Sequence, residues 1–248
     1  MAAVPVAVAV DAEKMRPRQF EPGEPELMDR PDAAPEELDA ALQSLRGLNR
    51  FFGSYSLVDH FLRRWIKRGD SMRVADLATG SADIPRHVVD YARRVGAHLE
   101  VVAVDFQPRT VERARRLTAD YPEITCECAD ILAFGHPGEF DLVICSLALH
   151  HFSDEEAVRV LRRCRELARS FVLISDLRRG VLASVGVYLL TALIFRDRMT
   201  REDGRTSAAR AFSFREMQEL AREAGWGRFG AARFRFARQA IWLEKDSA

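Results

Sequence analysis

A surplus of charge of one sign is missing from this chain: 37 Lys and Arg stand against 37 Asp and Glu, and the sequence pI is about 7.0. Neutralising phosphates requires a cationic face, so nucleic acid is not an expected partner. Long apolar runs are missing as well. The longest uncharged stretch runs from Gly180 to Phe195, and its 15 residues Val181 to Phe195 fall short of the roughly 20 that cross a bilayer; they read as a buried or lid helix, at most an interfacial one. Cysteine is scarce. Of Cys126, Cys128, Cys145 and Cys164, three fall in apolar runs that read as buried strands, which suits a reduced, cytoplasmic compartment. The spacing Cys126-x-Cys128 is wrong for a zinc knuckle, so both read as small core fillers, and no metal ligands are assigned. The first ten residues have no basic n-region, contain Pro5 and run into charges; they do not read as a secretory signal.

What is present is enough for one full core: 248 residues suit a single catalytic α/β domain with an appendage. Residues 1–35 hold Pro5, Pro17, Pro22, Pro25, Pro31 and Pro35 among acids and Arg, a composition that reads as a flexible leader. Over residues 36–70, Leu38, Leu42, Leu45, Leu48, Phe52, Leu57, Val58, Phe61, Leu62 and Trp65 recur at helical spacing with a break at Gly53-Ser54. Two amphipathic helices capping an acceptor site are expected there. Residues 71–248 form the main domain.

In that domain short apolar runs alternate with helical stretches: Arg73 to Leu77, Glu100 to Asp105, Ile124 to Ala129, Phe140 to Ser146 and Ser170 to Asp176. This is the pattern of a parallel sheet covered on both faces. Pro85 and Pro108 mark first helical turns, Gly96 and Gly225 mark helix ends, and Ser153 with Glu156 and Ser213 with Glu216 make capping boxes. Two final alternating runs, Arg228 to Phe236 and Gln239 to Lys245, read as an antiparallel pair. The expected fold class is α/β, a Rossmann-like, seven-stranded, mostly parallel sheet with helices on both faces and a C-terminal antiparallel hairpin.

Chemistry collects at the strand ends. The first run leads through Asp76-Leu77-Ala78-Thr79-Gly80-Ser81-Ala82-Asp83 into a helix, a small-residue bend that lets a ligand approach the backbone. A plain tight turn with a capping Asp is the structural alternative. The second run ends in Asp105-Phe106; one carboxylate at that point can accept from two vicinal ribose hydroxyls, and an aromatic neighbour can pack on adenine. The alternative for Asp105 is an acid at a helix start before Pro108. The third run ends at Asp130-Ile131. The fourth leads through Ser146 to Leu149-His150-His151-Phe152, where an imidazole suits proton removal near neutrality; capping and packing of the next helix explains either His equally well. His150 is the first choice of base and His151 the second.

These motifs over residues 73–176 resemble those of class I S-adenosylmethionine-dependent methyltransferases, in the ubiquinone/menaquinone-biosynthesis-like small-molecule branch. The resemblance implies S-adenosyl-L-methionine as cofactor. It puts Asp76 and Gly80 against the methionine half, Asp83 at its amino group, Asp105 on the ribose, Phe106 and Asp130 on the adenine, with Ala78, Thr79, Ile131 and Ser146 completing the set. The pattern departs at Ala82, where the family usually has Gly; the added methyl narrows the loop. The implied reaction is O- or C-methylation of a small, largely apolar phenol, quinol or polyketide-like acceptor. Ser146-Leu147-Ala148-Leu149 in place of an Asn/Asp-Pro-Pro-Tyr/Phe string argues against bases and glutamine as acceptors.

An insertion, residues 178–212, joins the apolar helix to a polar hinge at 196–205. As a lid it would offer Tyr188, Leu189 and Phe195, with Phe51, Phe52 and Tyr55 from the leading helices; core packing or a homodimer contact serves as well. Arg178, Arg198 and Arg201 read either as holders of an acidic substituent or as a salt-bridged surface. Two other readings stay open. A nicotinamide-dependent oxidoreductase shares the architecture, but only Gly80 remains of the three glycines a pyrophosphate loop wants, and no Tyr-x-x-x-Lys pair occurs. A non-catalytic cofactor-binding protein is the other.

Overall fold

The computed structural model describes residues 17–21, 23, 24, 26, 27, 30, 47, 49, 53–180 and 198–245. Helix α1 (Ser54–Trp65) precedes an alternation of β1 (Ser71–Leu77), α2 (Asp83–Val95), β2 (His98–Asp105), α3 (Pro108–Leu117), β3 (Ile124–Cys128), β4 (Phe140–Ser146), α4 (Asp154–Leu167) and β5 (Ala168–Leu177). Helices α5 (Arg198–Arg210) and α6 (Phe214–Glu223) and strands β6 (Gly230–Phe234) and β7 (Arg238–Glu244) complete it. The strands form one sheet in the order β3-β2-β1-β4-β5-β7-β6. The first five run parallel, and β7 lies antiparallel to both β5 and β6.

The apolar runs are continuous because the sheet is covered on both sides. Val74, Leu142 and Ile144 face one core with Leu57 and Phe61 of α1, Val88 of α2 and Val111 of α3. Ala75, Leu77, Val143 and Cys145 face the other with Leu161 and Cys164 of α4, Met217 of α6 and Trp226. The punctuation acts as expected. Gly96 takes φ 77° at the end of α2, Pro108 opens α3, and Ser153/Glu156 and Ser213/Glu216 close reciprocal capping boxes. Strand order reverses between β1 and β4, so the crevice beyond their carboxyl ends is where such sheets bind ligands.

Three expectations are corrected. Cys128 is exposed rather than a core filler, because β3 is an edge strand and its last residue passes beyond the cover of α3. Residues 198–210 are helical rather than a hinge: apart from Gly204 they are good or neutral helix formers with no proline. Residues 17–27, placed in a flexible leader, are docked where described. Gln19 N–H donates to the Ala209 carbonyl (3.1 Å) and Leu27 N–H to Asp203 (2.7 Å). The proposed lining residues Phe51, Phe52, Tyr188, Leu189 and Phe195, the helix Val181 to Phe195 and most of the first leading helix lie outside the described residues.

Candidate functional site

The loop after β1 is wound tightly because it must turn from a buried strand into α2 within five residues. Ala78 (φ 55°), Gly80 (φ 55°) and Ala82 (φ 53°) all take the left-handed conformation, which costs a non-glycine residue about 1–2 kcal/mol. Three contacts hold that bend. Thr79 N–H donates to the Val104 carbonyl (2.9 Å), Thr79 Oγ1 donates to Asp76 Oδ2 (2.6 Å), and Gly80 N–H donates to Asp105 Oδ2 (2.9 Å). Asp105 Oδ1 accepts a further N–H from Gln107 (3.1 Å). One carboxylate therefore ties the loops after β1 and β2 together at the rim. Among the described residues, a Cβ at Gly80 would meet nothing within 4 Å, so the bend faces open space there.

Around this bend the expected residues gather. Asp76 is 3% exposed, and burial pushes its carboxyl up to about 8, with Thr79 opposing and Asp83 and Asp105 adding. Asp83 is buried, and its Oδ2 accepts from Asn49 (3.0 Å) and from the Tyr55 hydroxyl (3.1 Å), which draws the segment ahead of α1 onto the rim. Tyr55, in the first turn of α1, thus stands beside Asp83. Phe106 is 65% exposed at the end of β2. Asp130 is exposed and accepts the Leu132 N–H (2.9 Å), while Ile131 is buried beneath it. Asp76 and Asp105 stand at the carboxyl ends of β1 and β2, and Asp130 follows the end of β3, so all three lie along one edge of the sheet.

Beyond the strand reversal the edge changes character. Ser146 accepts from Ser175 Oγ (2.9 Å), tying the ends of β4 and β5. The chain then turns through Leu147 (φ 56°) into a short 3₁₀ turn, Leu149–His151. His150 is 2% exposed and meets Asp176, the penultimate residue of β5, twice: its N–H donates to Oδ2 (2.9 Å) and its Nδ1 lies 2.7 Å from Oδ1. Burial acts to raise the Asp176 carboxyl, but the His150 charge contact and the hydrogen bonds from His150 and Leu177 outweigh it and hold it low. An ionised carboxylate only accepts, so Nδ1 carries the hydrogen and Nε2 turns away from Asp176.

Nε2 of His150 faces Glu26 Oε1 at 3.9 Å, and Nε2 of half-buried His151 faces Glu26 Oε2 at 3.9 Å. Glu26 is 3% exposed and accepts from Ser207 Oγ of α5 (2.7 Å). Arg18 fixes the same segment. Its guanidinium donates to the carbonyls of Arg210 (2.6 Å), His150 (3.1 Å) and Phe152 (2.6 Å), pairs with Asp154 (2.7 Å) and stacks 3.8 Å above Phe212. Asp176, Glu26, Arg18 and Asn49 were not singled out from the sequence. Asp176 had a signal, since Ser170 to Asp176 ends in an acid like its neighbours. Glu26 and Arg18 had none, because they lie in the Pro-rich stretch. Arg178 and Arg201 are half-buried. Among the described residues the Arg178 Nε has no hydrogen-bond partner, and burial and Arg233 lower the affinity of the side chain for a proton. A groove of about 1180 Å³ lined by Arg64, Arg165 and Trp242 lies at the opposite edge of the sheet, away from these groups.

Residues 74–170 match a family described as Methyltransferase domain. No curated protein matches the chain. Among solved structures, a SAM dependent methyltransferase from Aquifex aeolicus superposes with a TM-score of 0.59 at 17% identity, over 84% of this chain and 97% of that one. The plantazolicin methyltransferase BpumL in complex with SAH gives 0.66 at 10% identity, over 89% and 93%. Human N-acetylserotonin methyltransferase in complex with SAM gives 0.61 at 16% identity over 85% of this chain, which spans 56% of that longer one. These likenesses establish the fold. The family match covers residues 74–170, the segment from β1 to the start of β5.

Proposed function

We propose that the protein transfers a methyl group from S-adenosylmethionine to an ionisable oxygen or an activated carbon of a small, largely apolar acceptor. The observation that carries the cofactor assignment is the Asp105 carboxylate, which accepts from Gly80 N–H at one oxygen and Gln107 N–H at the other beside exposed Phe106. That donor set fits an adenosyl ligand: an acid for vicinal hydroxyls, an aromatic face for the purine, and buried acids at Asp76 and Asp83 for a cationic amino-acid end. A pyrophosphate would instead face the acids Asp76, Asp83 and Asp105. When bound, the cofactor supplies a sulfonium-borne methyl group whose leaving group is a neutral sulfide, so positioning the acceptor supplies much of the rate.

In this reading Ala78, Thr79, Gly80 and Asp83 hold the amino-acid end, Asp105 the ribose, Phe106, Asp130 and Ile131 the adenine, and Ser146 flanks the reactive end. His150 takes the acceptor proton at Nε2 while Asp176 orients the ring and stabilises the imidazolium; His151 stands beside it, ring centroids 4.4 Å apart. The acceptor proton would pass to Nε2 of His150, leaving the imidazolium paired with Asp176. No described helix is long and apolar enough to cross a membrane, and the plantazolicin methyltransferase among the neighbours supports a role in tailoring small molecules.

Calorimetry with S-adenosylhomocysteine and with NADP tests the cofactor. Binding of the first alone is expected; tight binding of NADP alone refutes the assignment. A screen of phenols, quinols and polyketide-like aromatics, read by formation of S-adenosylhomocysteine, then identifies the acceptor.

A further inference from the structure

Glu26, His150 and His151 offer three ligand atoms within 4.8 Å of one another. Their arrangement is hard to explain as hydrogen bonding. Both imidazole-to-carboxylate distances are 3.9 Å, beyond the roughly 2.7–3.2 Å of an N–H···O bond. With Nδ1 of His150 turned to Asp176, the uncharged form of the ring would turn an Nε2 lone pair toward the Glu26 oxygen, another lone-pair donor. Glu26 is almost fully buried and, among the described residues, accepts one hydrogen bond, from Ser207. A buried carboxylate with so little compensation calls for a positive partner.

We propose that Glu26, His150 and His151 form a binding site for one divalent transition-metal ion, of the zinc class, with Asp176 as the outer carboxylate that orients His150. Two neutral imidazole nitrogens and one carboxylate oxygen are the donor set of many three-ligand zinc sites. A carboxylate behind a ligating imidazole is the usual way its tautomer and direction are fixed. Zn–N and Zn–O bonds of about 2.0–2.1 Å require donors roughly 3.3 Å apart in tetrahedral geometry, so the side chains close by about 0.5–1.5 Å on binding. Glu26 comes from the segment pinned by Arg18, so the ion joins that segment to the end of β4. The site rests on the proposed function in one respect only: an ion on Nε2 occupies the lone pair that would take the acceptor proton, so ion binding and methyl transfer compete.

The test uses the full chain stripped with a chelator, titrated with Zn²⁺ by calorimetry and with Co²⁺ by visible absorption. One ion per chain is expected, with a Co²⁺ spectrum free of thiolate charge transfer. Glu26→Gln and His151→Gln should each weaken binding at least tenfold while their far-ultraviolet dichroism stays that of the wild type. Absence of saturable binding, thiolate bands, or unchanged affinity in both folded variants overturns the proposal. Affinity for S-adenosylhomocysteine, measured on the stripped protein, reports separately on the cofactor reading and is expected to survive both substitutions.

Discussion

Replacing Asp76 by Asn isolates one buried ionisation. The carboxyl sits at about 8 in the folded chain against an ordinary 3.8, chiefly because burial penalises its charge. Between those values the folded protein keeps the proton that the unfolded chain has released. The unfolding free energy therefore falls as pH rises, by up to about 1.4 kcal/mol per unit and roughly 6 kcal/mol in all as a ceiling. The contribution is whole below pH 4 and gone above pH 8. Asn keeps an oxygen to accept from the Thr79 hydroxyl and does not titrate. Urea unfolding of both proteins from pH 5 to pH 8 should thus give a gap that moves steadily in favour of Asp76→Asn as pH rises, whatever constant offset the amide introduces. Parallel curves across that range would refute the claim that Asp76 is held neutral. In the proposed cofactor reading a cationic amino group near Asp76 and Asp83 pulls the proton off, so binding near pH 7 should release protons, seen as a buffer-dependent calorimetric heat. Asp76→Asn should abolish that dependence.

Other substitutions separate fold from chemistry. Gly80→Ala should cost only about 1 kcal/mol of stability, from its positive φ with no clash, yet weaken S-adenosylhomocysteine at least tenfold by filling the space over the bend; equal affinity would mean the ligand lies elsewhere. Asp176→Asn should lower turnover at least tenfold by removing the anion that orients His150, with cofactor affinity within about twofold of wild type, and unchanged turnover would remove His150 from proton transfer. Arg18→Ala should lower unfolding stability by about 2–3 kcal/mol, because four polar partners and the Phe212 ring lose a half-buried cation; a loss under 0.5 kcal/mol would show that the segment contributes little.

Where local chemistry decided the structure, the sequence was readable. Runs such as Phe140 to Ser146 are buried on both faces and can be little else, and Ser153 with Glu156 carries its capping geometry within four residues. The acids at Asp76 and Asp105 were visible because each ends such a run. Long-range partners were not. Asp176 meets His150 only because β4 and β5 are parallel neighbours in register, Ser146 opposite Ser175. Glu26 and Arg18 sit in a proline-rich stretch whose composition cannot build a core of its own; they are ordered by contacts with α5 and the 3₁₀ turn. Helix 198–210 was hidden by its charges, since its apolar positions are few.

The most direct measurement is calorimetric titration of S-adenosylhomocysteine into the wild type and into Asp105→Ala. The account predicts one-to-one binding to the wild type and, in the folded variant, a loss of at least a hundredfold, as expected when charge-assisted bonds to two hydroxyls worth about 1.5–3 kcal/mol each are removed. No binding to the wild type, or equal binding to both, would contradict it.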